Sequence, residues 1–191
     1  MNVKKIMVFM FAAIFLLLTI ISSGCGSDDM NSRETSFNFF ELIESNNLND
    51  ISLTIYYMDL FTRTRAPVTL EQLMGGWHDN SGQLINGWYD YKTVITGETL
   101  AKHRDLLNQL INIELISVAN ESFVNARLYY VFEHSEHGEL FSFLAFSGSD
   151  DTVFINGREV KSNRIFYEIV LPFLPEDAIA TIKTYLDAVW Q

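Results

Sequence analysis

The stretch Ile51–Tyr57 sets apolar Ile51, Leu53, Ile55 and Tyr57 against Ser52, Thr54 and Tyr56, the two-residue period of a strand with one buried face. The alternation can resume over residues 60–64. Ahead of it, Phe39, Phe40, Leu42 and Ile43, joined by Phe37, fall on one helical stripe that the Asn46-Asn47 pair ends. Behind it, residues 69–74 read as one or two helical turns stopped by Gly75-Gly76, followed by a glycine- and aromatic-rich stretch and a short strand at 91–95. Gly97-Glu98 opens a helix over 98–111. Leu100, Leu107, Leu110 and Ile111 line one side of it, Leu106 sits at the edge, and Lys102, Arg104, Asp105 and Gln109 point mostly outward.

Strand patterns then come in quick order over residues 113–118, 123–133, 139–146 and 152–155. The middle two are joined by His134-Ser-Glu-His-Gly138, a hairpin loop with glycine at its end. Asn156-Gly157 supplies the two positive φ values of a type I′ turn, so a tight hairpin is expected there. Residues 165–171 satisfy two periods at once: Ile165-Phe166 and Ile169-Val170 repeat every four, whereas Tyr167, Ile169 and Leu171 alternate, and Pro172 breaks either element. Pro175 suits the first position of a last helix. Glu176 and Asp177 lie near the positive end of its dipole, and Ala178, Ile179, Ile182, Leu186, Val189 and Trp190 form its buried stripe. This order of elements is α+β, with an antiparallel sheet of about five to six strands. Helices pack mainly on one face of it, chiefly the 98–111 helix and the C-terminal one.

The start of the chain follows another rule. Lys4-Lys5 precede an uncharged hydrophobic run over residues 6–21, which ends in Ser22-Ser23-Gly24-Cys25. The run falls short of the ~20 residues a spanning helix wants, and a charged start, an apolar middle and small residues make the layout of a secretory signal. It resembles bacterial lipoprotein signal peptides, in which a peptidase cuts before a diacylglycerylated cysteine. Gly24 and Cys25 fit that lipobox and Ser23 is common in it, while Ser22 stands where an aliphatic residue is usual. The resemblance covers residues 1–25 only. It implies a signal peptide over 1–24, lipid attachment at Cys25 through acyl chains such as palmitate, and a cell-membrane protein facing outward, extracellular or periplasmic. An uncleaved anchor and a plain secretory signal are the alternatives, and all three put the remainder outside, because Lys4 and Lys5 favour the cytoplasmic side. Residues 25–34 then form the lipidated cysteine and a polar tether, and residues 35–191 a single globular domain.

Composition narrows the partners. Cys25 is the only cysteine, so the domain holds together without disulfides; fifteen Phe and eight Tyr supply an aromatic core instead. The formal charge is −11, and losing Lys4 and Lys5 with the signal takes it to −13. Such a surface repels phosphate, and with Arg63 and Arg65 as its densest positive pair the chain lacks the basic stripe that nucleic-acid binding needs. Attachment to membrane therefore falls to the acyl chains.

Three groups of residues are candidates for chemistry. His134 and His137, flanked by Glu133, Glu136 and Glu139, have the right ligand types for zinc, but in a turn rather than at the spacing of a helical zinc motif; they read as a solvated loop, and no metal is expected. Asp79-Asn-Ser-Gly82 lacks the closing acid of a calcium loop. Gly76-Trp77-His78-Asp79 and Gly87-Trp88-Tyr89-Asp90 are near-repeats, and Trp77, Trp88 and Tyr89 would make a ligand patch if exposed, able to stack on a sugar or a cation. No catalytic motif stands out: there is neither a Gly-x-Ser-x-Gly elbow nor a thiol other than Cys25, and no cofactor is implied. The expectation is a membrane-anchored envelope lipoprotein whose domain is a non-catalytic module binding an unknown envelope protein or ligand. The alternatives are an envelope hydrolase with residues scattered in sequence, or an inhibitor or immunity-type protein for a basic partner.

Overall fold

The computed structural model describes residue 43 and residues 48–118, 125–146 and 151–190. All of them lie in the unit Glu34–Gln191. The signal segment, with Ser22, Ser23, Gly24 and Cys25, is outside the described residues, as is the expected first helix except Ile43, which is helical and 1 % exposed. In chain order the elements are β1 (Ile51–Tyr57), α1 (Leu70–Met74), the hairpin strands β2 (Gly75–His78) and β3 (Leu84–Asn86), β4 (Tyr91–Thr96), α2 (Gly97–Lys102), α3 (Arg104–Leu107) with a 3₁₀ turn at Asn108–Asn112, β5 (Ala126–His134), β6 (Gly138–Phe146), β7 (Thr152–Ile155), β8 (Arg158–Lys161), α4 (Ile165–Glu168), a 3₁₀ turn at Leu171–Phe173, and α5 (Glu176–Val189).

The fold is α+β. Six strands form one sheet in the order β4-β1-β5-β6-β7-β8, each neighbouring pair antiparallel, and β2-β3 stand apart as a two-stranded hairpin. Two turns fix the register. Gly138, at φ 74°, closes the long β5–β6 hairpin, and Asn156-Gly157 adopt φ 47° and 73°, the positive pair that a two-residue hairpin requires. Asn156 also reaches across to β6. Its side-chain oxygen accepts from the Ser142 amide at 2.7 Å, and its own amide donates to the Ser142 carbonyl at 3.0 Å. This side chain prolongs the short β6–β7 pairing by one rung.

Alternation along these strands gives the sheet two unlike faces. On the first, Leu53, Ile55, Leu128, Tyr130, Phe132, Phe141, Phe143 and Val153 are sealed beneath Leu100, Leu107, Phe166, Ile182 and Leu186 of the helical segments. Tyr130 stacks on Phe143 at 4.7 Å, and its hydroxyl donates to the Phe166 carbonyl at 3.0 Å, so one ring unites two strands with α4. On the second face a smaller cluster of Met58, Val68, Leu73, Ala126, Tyr129, Val131 and Leu144 lies under α1.

The structure departs from the local pattern at several points. The single helix expected over 98–111 is interrupted at His103 (φ −111°, ψ 21°). The His103 ring meets Phe173 edge-on at 4.9 Å, and the chain tightens into a 3₁₀ turn beyond Leu107. The expected 113–118 strand reduces to one bridge, Ser117 to Val160, flanked by hydrogen bonds from the Val118 amide to the Glu159 carbonyl and from the Lys161 amide to the Ile116 carbonyl; it lies along the outer side of β8. Residues 60–64 form no strand. The doubly periodic 165–171 segment starts as helix at Ile165–Glu168 and passes into the 3₁₀ turn that carries Pro172, and Pro175 is the residue before α5 rather than its first.

Candidate functional site

One transverse row on the second face crosses all six strands in register: Lys92, Tyr56, Tyr129, Leu144, Phe154 and Glu159. Four bulky side chains in direct cross-strand sequence give the sheet an apolar floor. At its β4 end Lys92 Nζ lies 4.7 Å from the centre of the Tyr56 ring, which in turn meets Tyr129 at 6.1 Å and Tyr89 edge-on at 5.7 Å. At the other end, Thr152 Oγ1 donates to the Glu159 carboxylate at 2.7 Å.

Above the β5–β7 part of this floor opens a cleft of ≈ 360 Å³, within the range of small-ligand sites. Leu70 of α1, Tyr129, Leu144 and Phe154 are its apolar walls, and Ser142, Asn156, Gly157 and Glu139 its polar edge. Directly across the β5–β6 pair, Glu139 stands opposite Glu133. Like charges so placed repel, and among the described residues neither carboxylate forms a salt bridge. Their field reaches the floor: the Tyr129 phenol is pushed up to about 12, first by burial, then by Glu139 and, more weakly, Glu133, with the Ser142 hydroxyl drawing it back down. A larger depression of ≈ 530 Å³ lies on the other side of Glu133, bounded by Asp50, Ser52, Thr96, Gly97, His134 and Gly138.

The loop from β1 to β4 supplies the roof, and a buried arginine holds it there. Thr69 caps α1 through a reciprocal bond with Gln72, the capping box that starts a short helix cleanly. Arg127, 1 % exposed, donates to the Thr62 and Ala126 carbonyls and to Asn125 Oδ1, each at 2.9 Å. Asn125 Oδ1 also takes the Val68 amide at 2.9 Å, and the Ala126 amide reaches the Val68 carbonyl at 2.8 Å. Burial lowers the proton affinity of the guanidinium, while Asp59 and Asp90 support its charge from a distance.

The residues singled out by sequence do not gather into one patch. Trp88 is 49 % exposed, its amide donating to the Gln72 carbonyl at 2.9 Å, whereas its neighbour Tyr89 turns inward onto Tyr56. Trp77 is paired through its backbone with Ile85 in the β2–β3 hairpin, and its side chain lies outside the described positions. Asp79 closes that hairpin on itself: its carboxylate accepts from the Ser81 amide and hydroxyl and from the Gln83 amide, which hold its pKa below the usual carboxylate value. His134 and His137 stack face to face at 4.6 Å with 28° between their planes. Among the described residues no three His, Cys, Asp or Glu side chains form a group fit for a metal, and no helix is long and apolar enough to cross a membrane. Sequence reading passed over Tyr129, Leu144 and Phe154 altogether and met Glu139 only as a flank of the histidine pair; the signal was the bulky Tyr56, Tyr129 and Phe154 recurring on the strand face expected to be polar.

The fold and its cleft thus define a six-stranded antiparallel α+β domain with a ligand-sized site on its thinly covered sheet face. No family model, curated protein or solved structure matches the chain.

Proposed function

We propose that the chain is a bacterial envelope lipoprotein: residues 1–24 direct export, Cys25 carries the lipid, and the α+β domain is displayed outward as a non-catalytic binding module. The Lys4-Lys5, apolar run and Ser22-Ser23-Gly24-Cys25 order supports the anchor. The binding role rests on one observation, the ≈ 360 Å³ cleft over Tyr129, Leu144 and Phe154, on a sheet face whose opposite side already supplies the principal core.

Two measurements test this in turn. Mass spectrometry of the mature N-terminus should find an acylated residue 25 in the wild type and none in Cys25→Ala; an intact Met1 or a bare thiol sinks the anchor. For binding, a fragment screen on methyl-labelled protein should move the Leu70 and Leu144 signals while leaving Leu186, which is fully buried in α5, in place. A screen in which no fragment perturbs Leu70 or Leu144 removes the binding-module reading.

A further inference from the structure

The cleft is chemically lopsided. Its interior is hydrocarbon and aromatic, from Leu70, Tyr129, Leu144 and Phe154, and its polar end is anionic, with Glu139 on the rim and Glu133 facing it across the β5–β6 pair. Two hydroxyl-bearing side chains, Ser142 at 7 % and Tyr129 at 8 % exposure, line the step between them. The opposite end of the floor already has a cation, Lys92 over the Tyr56 ring. The acidic end has none, since no salt bridge reaches Glu133 or Glu139 among the described residues.

We propose that this cleft binds a small organic cation, a primary ammonium on an aromatic or branched aliphatic body, with the body between Leu70, Leu144 and Phe154 and the charge between Glu133 and Glu139. The claim rests on the binding-module reading and adds the ligand's class to it. Three features select that class. The walls favour an apolar body, since removing apolar surface from water is favourable. The paired carboxylates repel each other until a positive charge sits between them, which rewards a cation and penalises an anion. A bare inorganic cation would leave the apolar walls unused, and the net charge of −11 adds long-range attraction for a positive ligand at low salt.

The test is a ligand-observed NMR titration of the full chain in detergent micelles with three probes of like shape: 2-phenylethylammonium, 2-phenylethanol and 3-phenylpropanoate. The ammonium should bind about two- to fivefold more tightly than the alcohol, the worth of a rim ion pair, and the carboxylate most weakly. Added salt should shrink the preference. Glu139→Gln should erase it by bringing the ammonium down to the alcohol's affinity; partition into micelles is common to both proteins and cancels. Equal binding of ammonium and alcohol to the wild type, or a preference that survives Glu139→Gln, overturns the cation while leaving the cleft a binding site. Failure of all three probes to bind overturns the proposal, and together with a silent fragment screen it overturns the binding-module reading too.

Discussion

The two faces of the one sheet are built to different rules. The helix-covered face is apolar from edge to edge, and its rings sit at 0 % exposure at Tyr130, Phe132, Phe141 and Phe143. Among the described residues the buried polar ones, Thr54, Arg127, Ser142 and Glu159, all belong to the other face or its rim, where the covering helix is the five-residue α1. Burying a polar group costs free energy unless a partner is supplied, so a face meant only to be covered would be apolar, as the first one is. The second face keeps hydroxyls, a guanidinium and carboxylates around an apolar floor, the composition of a site rather than of a core.

Adjacent residues of β6 put that contrast to its hardest test, because Phe143 points into the first face and Leu144 into the second. Phe143→Ala removes a ring stacked on Tyr130 and in contact with Phe166 and Tyr167, and should cost ~3–5 kcal/mol in chemical denaturation. Leu144→Ala opens onto an existing cleft, so little new cavity forms, and its cost should fall near the bottom of the range for such truncations, about 2 kcal/mol. Equal losses at the two positions would erase the distinction between core and site.

A loss of about 2–3 kcal/mol is expected for Arg127→Met, since the Thr62 and Ala126 carbonyls and Asn125 Oδ1 lose a charged donor. The location of the damage matters more than its size. Hydrogen exchange should quicken at Ala126, whose amide bonds the Val68 carbonyl, and stay slow at Leu53 and Leu128 in the sheet centre. Uniform quickening would mean that the roof and the sheet open together, and the second face would lose its independence.

How much of this was legible in the chain depends on how far each cause reaches. Ile51–Tyr57, the Asn156-Gly157 turn and the Thr69–Gln72 cap are local, and local pattern suffices for them. The break at His103 coincides with a ring contact to Phe173, 70 positions further along the chain, and no window around 98–111 contains it. Gly97 reads as a helix opener, yet the Leu48 carbonyl passes so near that a Cβ would meet it at 1.8 Å, a constraint of tertiary packing. The candidate site was least legible, because its floor exists only once four strands are in register, and no strand alone displays it. Trp88 and Tyr89 misled for a simpler reason: neighbouring residues point opposite ways, so only the tyrosine joins the floor.

The smallest effect, and the one that reads both faces at once, lies in alkaline titration. Burial pushes Tyr57 on the first face and Tyr129 on the second up to about 12, and holds the fully buried Tyr130 well above the usual phenol value. A phenol whose folded pKa exceeds its unfolded value of ~10 stabilises the fold fully below pH ~10, and that contribution is lost as pH rises through the folded pKa. Tyrosinate absorbance should therefore rise in two stages, the exposed rings first and these three later. Glu139 and Glu133 contribute to the shift of Tyr129, whereas the carboxylates acting on Tyr57 are Asp59, Asp90 and Asp177. Glu139→Gln should bring the Tyr129 ionisation down by about a few tenths of a pH unit and leave Tyr57 and Tyr130 where they were. If the late stage moves as a whole, or not at all, the acidic rim does not reach the cleft floor, and the two faces are electrostatically alike.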